Sequence, residues 1–217
     1  MNFKISTKKE DIAETSGNYM NKSGIYDCVI NFASIAVSKG GAESINFNVE
    51  YNGTPATIYG PYVTDKAGND LEIGRKLIHK LGVIAGLSDG DELEVEEEEH
   101  TVGKDNKNQT FAVIQQFSGL PVKIRLQEEY SKYEGEIKKS MVIKSFFRED
   151  GASADEIINK TEIGKRLEQE TTKYANNITY KDGLIPEDIE NWAANKSSAK
   201  KVTPTSTAPK KPLFARK

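Results

Sequence analysis

The chain has 217 residues, 36% of them hydrophobic and 29% charged, with a net charge of −3. That composition supports one ordinary globular core with appendages and contains no run of about 18 apolar residues that would make a membrane-spanning helix. Its single cysteine, Cys28, excludes an internal disulfide and a cysteine-based zinc site.

The first residues, MNFKISTKKEDIAET, carry no apolar stretch of signal-peptide type. The sequence therefore reads as cytoplasmic, with residues 1–22 a polar leader. From Gly24 the pattern changes. Tyr26, Cys28, Ile30 and Phe32 alternate with Asp27 and Asn31, the mark of a half-buried strand. This places Cys28 in the core as an inert thiol, since Asp27 and Val29 supply no positive charge to activate it. Ser38-Lys39-Gly40-Gly41 reads as a turn. Ile45, Phe47, Val49 and Tyr51 then alternate without fault with polar neighbours. Asn52-Gly53 suits a type I′ turn, so residues 54–59 should pair back onto 45–51. Gly60-Pro61 ends that strand.

Residues 70–86 read as a helix. Asp70 is the expected cap, and Ile73, Leu77, Ile78, Leu81 and Ile84 form the buried stripe. Residues 89–99 hold eight acids in eleven positions. They lack the interleaved Asp, Asn and Gly of a calcium loop, so residues 88–108 read as a solvated excursion, an acidic hairpin or a mobile loop. Phe111, Val113, Ile114 and Phe117 suggest a short helix closed by Gly119, with a strand as the alternative. Val122, Ile124 and Leu126 return to strand alternation. After a turn at 131–135, Met141, Ile143 and Phe147 give a last strand, with Lys144 and Phe146 on its other face.

Ser153 and Glu156 form a capping box for a helix over 154–161. Helical spacing resumes at Ile163 and Leu167 and runs to Tyr174. Pro186 opens a further helix carrying Ile189 and Trp192. Residues 195–217 are rich in Lys, Ser, Thr, Ala and Pro and read as disordered. Residues 193–217 carry seven Lys or Arg and no acid, so with −3 overall the first 192 residues carry −10. The expected organisation is a domain over 1–150, a helical extension over 151–194 and a basic tail over 195–217. The first domain is mainly β. Its strands, with a helix between the third and fourth, follow the order of an oligonucleotide-binding β-barrel.

No HExxH, GxSxG or GxxxxGK(S/T) pattern occurs, and no paired groups have the spacing of an acid–base or nucleophilic site. The expectation is a non-catalytic binding protein without cofactor or metal. A single-strand binder needs cations along a groove and aromatic faces on which bases stack. The final hairpin interleaves both: Lys123, Arg125, Tyr130, Tyr133, Lys138, Lys139, Lys144, Phe146 and Arg148. Tyr59 and Tyr62, beside the Gly60-Pro61 bend, form a second group, of which one is expected in the core.

Three stretches carry a family resemblance: GIYDCVINFASIAVSKGGAESINFNVEYNG, DLEIGRKLIHKLGVIAGL and FSGLPVKIRLQEEYSKYEG. Together, over residues 24–148, they resemble the phage-encoded single-stranded-DNA-binding proteins with an oligonucleotide-binding fold. Gly24 to Tyr26 matches their opening strand, and Gly119 to Val122 matches their later strand entry. The resemblance implies sequence-tolerant binding of single-stranded DNA in phage replication or recombination. Alternatives are a virion or scaffold module built on the same barrel, and an accessory factor that anneals strands or loads a recombinase. Members of that family end in an acidic tail with a terminal aromatic that recruits replication partners. Here the end is KKPLFARK. Phe214 remains among basic neighbours, so this tail is expected to contact DNA or to recruit a partner.

Overall fold

The computed structural model describes residues 19–103 and 107–199. Eight strands among them form one mainly antiparallel sheet: β1 (Gly24–Val37), β2 (Glu43–Tyr51), β3 (Thr54–Ile58), β4 (Val95–Val102), β5 (Lys107–Ile114), β6 (Leu120–Tyr133), β7 (Glu136–Arg148) and β8 (Ile178–Tyr180). Four helices accompany them: α1 (Glu72–Ile84), α2 (Ala154–Asn159), α3 (Lys165–Lys173) and α4 (Pro186–Ala199). No described helix is long and apolar enough to cross a membrane.

The β2–β3 hairpin forms where the sequence predicts it. Phe47 pairs with Ile58 and Tyr51 with Thr54, around Asn52 and Gly53 at φ 50° and 74°. β1 pairs with β2 along one side. On its other side, β6 covers Gly24 to Ile30, and the end of β5 covers Ala33 to Ile35. Continuing outward, β6 pairs with β7 and β8. Among the described residues β3 and β7 do not pair, so the sheet is open rather than the closed barrel expected. β3 is a poor closing strand: it has five residues, it stops before Gly60-Pro61, and Pro55 within it lacks an N–H.

The even-numbered apolar pattern of β1 breaks at Asn31. The register with β2 runs Ile30 to Val49, then Phe32 to Asn48, leaving Asn31 as a bulge. Ile30 stays in the main core with Phe47, Val49 and Ile124. Phe32 is turned to the opposite face, where it stacks on His100 at 3.9 Å and leans on Phe111 at 5.2 Å. The acidic residues 95–102 therefore make a hairpin with 107–114, and one side of it covers Phe32. Phe111 and Ile114 belong to strand β5, and only Gln115–Phe117 forms a single 3₁₀ turn, so the expected helix there is corrected. Gln115 and His100 each bond the Glu98 carboxylate at 2.7 Å, and together they hold it below the usual carboxylate range.

α1 follows β3 and seals the core with Ile78, Leu81 and Ile84. Two details differ from expectation. Asp70 is not the cap: Leu71 occupies that position, and Asp70 pairs with Arg75. Ile73 leaves the apolar stripe and is 81% exposed. Directly after Ile73, Gly74 packs on the backbone of Tyr62.

The capping box of α2 forms as predicted and does more than cap. The buried Glu156 carboxylate accepts N–H groups from Ser153 (2.8 Å), Arg166 (2.8 Å) and Gly164 (3.4 Å), tying α2 to the start of α3. Burial pushes this acid up, but the N–H groups and the Ser153 hydroxyl outweigh it and hold it below its ordinary value. A folded pKa below the unfolded one, near about 4.3, contributes stability above that pH and loses it as pH falls through the folded value. Glu156→Gln is therefore expected to cost about 1–2 kcal/mol at neutral pH. It should also make stability less sensitive to acid below about pH 4. Urea unfolding at the two pH values measures both effects.

The chain divides into two compact units. Among the described residues, the larger comprises those up to Glu129 together with Ser140–Thr179, and the smaller comprises Tyr130–Lys139 together with 180–199. The expected polar leader lies outside the described residues up to 18, and the expected basic tail from 200 onward. Residues 195–199, assigned to that tail from composition, belong to α4.

Candidate nucleic-acid interface

In the larger unit, the predicted cations on β6 are matched by acids of the same chain. Lys123, opposite Asp27 across the β1–β6 ladder, pairs with its carboxylate. Arg125 is only 8% exposed. Its Nη1 lies 2.6 Å from Glu170 on α3, and its Nη2 donates to Gln127 Oε1 and to the Tyr174 carbonyl oxygen. Arg166 meets the second Glu170 oxygen at 2.6 Å. Arg125 thus faces away from the β1–β2 core, as its alternation requires, but α3 covers that face.

On β7, Phe146 lies in the core with its ring 5.4 Å from Phe47, so it offers no face to a base. Lys144 is half-buried. Arg148 forms a two-point bond to Asp150, at 3.0 and 2.6 Å. Tyr59 and Tyr62 are both open to solvent, at 76% and 54%, which corrects the expectation that one of them is core. Cys28 is buried beside Met20, and desolvation, aided by the charge of Asp27, pushes its thiol up to about 12. It is protonated at neutral pH.

The smaller unit gathers the remaining predicted residues. Glu134 and Gly135, at φ 51° and 82°, turn β6 into β7 and place Tyr133 and Lys138 on either side of the tip. The Lys138 ammonium sits 3.9 Å above the Tyr133 ring, which is 56% exposed. Tyr130 is buried. Its ring lies 6.0 Å from Tyr180, parallel to it, and 6.0 Å from Trp192, edge-on. Lys139 lies 6.0 Å over Tyr130, and Lys196 lies 4.1 Å over Trp192. Tyr180, Trp192 and Lys196 were not among the predicted site residues. The visible signal was Trp192, the chain's one tryptophan, followed four residues later by a lysine on the same helical face.

Comparison with models of known protein families finds no match, and comparison with curated proteins finds none either.

Proposed function

We propose that the protein is a non-catalytic single-stranded-DNA-binding protein that holds its ligand by base stacking and phosphate contacts. One observation carries this reading: the open ring of Tyr133 with the Lys138 ammonium 3.9 Å above it. A single strand offers a base face and a phosphate at every step, and each stacked base contributes about 1–3 kcal/mol without regard to sequence. The exposed rings of Tyr59 and Tyr62 add to it. The order β3-β2-β1-β6-β7, with α1 after β3, also supports relating the sheet to an oligonucleotide-binding barrel left open between its first and last strands. A role in phage replication or recombination follows from the resemblance alone. Recruitment of partners through the basic tail and Phe214 concerns residues outside those described.

Titration of labelled oligo-dT at two salt concentrations, followed by anisotropy, tests the reading. The expected result is binding that weakens steeply with salt, by about 0.7 in log–log slope per phosphate contact, with duplex of equal length bound more weakly. Equal affinity for both forms at matched salt overturns it.

A protein-docking module is the second reading. Lys123, Arg125 and Arg148 each already face a carboxylate, and Ile73 is exposed close to Tyr62 in sequence and fold. Absence of oligonucleotide binding at low salt favours it.

A further inference from the structure

We propose that α4 supplies the second half of the interface, so that the smaller unit, the hairpin tip with α4, is the principal DNA-binding element. The inference rests on the single-stranded-DNA reading above and assigns it a place.

The smaller unit contains four aromatic rings in its described part, Tyr130, Tyr133, Tyr180 and Trp192. Three of them have a lysine ammonium over the ring: Lys138 on Tyr133, Lys139 on Tyr130 and Lys196 on Trp192. Tyr130 links the two halves, since it comes from β6 and meets Trp192 of α4 edge-on. Several nearby polar groups are committed to holding the frame. Asp182 accepts the Lys132 N–H at 2.8 Å, Asp188 accepts the Ile185 N–H at 3.0 Å, and the Lys181 N–H donates to the Tyr130 carbonyl oxygen at 2.8 Å. An N–H bond leaves a carboxylate charged, so the acids that oppose a phosphate there are Asp182 and Asp188 together with Glu134 and Glu136 at the turn and Glu187 and Glu190 on α4.

A lysine over an exposed ring is held weakly and remains hydrated. A strand arriving at such a pair offers each group a better partner: the phosphate takes the ammonium and the base takes the ring face. Tyr133 with Lys138 is such a pair, and Lys196 over the half-buried Trp192 ring places a second cation–aromatic pair on a segment far away in sequence. This distinguishes the small unit from the β6 face of the larger unit, where Arg125 is held by the buried Glu170 and Lys123 already faces Asp27.

Because Trp192 is the chain's single tryptophan, its emission reports on this unit alone. The full chain is titrated with unlabelled oligo-dT while Trp192 emission is recorded, and in parallel with labelled oligo-dT by anisotropy. The expected result is a quench that saturates at the same oligonucleotide concentration as the anisotropy. The triple variant K138E/K139E/K196E, at three exposed positions, is expected to lose about tenfold or more in affinity at low salt and to flatten the salt slope. Trp192→Phe, which keeps an aromatic face, should bind within about threefold of the parent. Anisotropy binding with unchanged emission and unaltered affinity in the triple variant overturns this inference and leaves the single-stranded-DNA reading standing. No anisotropy change for the parent at low salt overturns both. Circular dichroism of the triple variant, expected to match the parent, separates lost contacts from lost structure.

Discussion

Gly74→Ala is expected to destabilise the protein by about 3 kcal/mol, at the upper end of what overpacking usually costs. A Cβ at this position would overlap the carbonyl oxygen of Tyr62 and approach its carbonyl carbon to 2.8 Å. The obstacle is backbone, so no rotamer change relieves it. Either α1 moves away from residues 60–63 or that segment moves. The segment is held in turn: the Pro61 carbonyl oxygen accepts the Ile45 N–H at 3.0 Å, and the Val63 N–H donates to the Glu43 carbonyl oxygen at 2.8 Å. The intrinsic helix preference of alanine over glycine works the other way but is worth only about 1 kcal/mol. Thermal unfolding should show a fall of about 6–12 °C, given about 2–4 °C per kcal/mol for a chain of this size. Gly82→Ala is the internal control. It lies in the same helix, and its Cβ would meet nothing closer than Leu87 Cδ1 at 3.5 Å. It should be neutral or stabilise by up to about 1 kcal/mol, and a comparable loss at both positions would refute the steric account.

Glu170→Ala is the second large effect, at about 3–5 kcal/mol. Glu170 is buried at 2% exposure and sits between Arg125 and Arg166. Arg125 is also buried, so removing the carboxylate strands a guanidinium away from water, whereas Arg166 is half-exposed and can turn outward. The cost comes chiefly from the stranded charge, not from the net worth of the pair. The double variant Arg125→Met with Glu170→Leu should therefore recover most of the stability lost by Glu170→Ala alone. Chemical denaturation of both variants measures the difference. The double variant should also bind oligo-dT as the parent does, because Arg125 is turned to Glu170 and Tyr174 instead of to solvent. Loss of DNA binding in a well-folded double variant would return Arg125 to the interface.

The elements legible in the sequence are those whose signals are local. The Asn52-Gly53 hairpin, the Ser153–Glu156 capping box and the start of the helix opened by Pro186 each depend on residues within a few positions, and each forms as read, although that helix runs on to Ala199. The errors arise where distant segments decide. Alternation correctly turned Arg125 away from the Val122–Ile124 side. Nothing near it in sequence indicated that α3, some 45 residues later, would cover the other side with Glu170. Phe146 was read as outward by the same parity and lies in the core against Phe47. Ile73 matched the helical stripe but falls in the first turn of α1 and is exposed. Of the residues proposed for the interface, Tyr133 and Lys138 are legible as neighbours because a hairpin tip places them near each other. Trp192 and Lys196 are not, because the contact of Trp192 with Tyr130 exists only after folding.

The bulge at Asn31 gives β1 a change of phase partway along its length. Before it, even-numbered side chains such as Cys28 and Ile30 meet the main core; after it, the odd-numbered Ala33 and Ile35 do, while Phe32 goes to His100. Substitutions in this one strand therefore cannot be interpreted by a single rule. A polar replacement at position 30 is an insult to the core, and the same replacement at 32 loosens only the cradle under the acidic hairpin. Loss of one codon at Asn31 would remove the bulge and keep the faces, because Phe32 would then follow Ile30 on the opposite side while Ala33 and Ile35 stay with the core. In the gene, that makes Asn31 the codon this strand can best do without, whereas loss of a paired position such as Ser34 exchanges the two faces for everything after it.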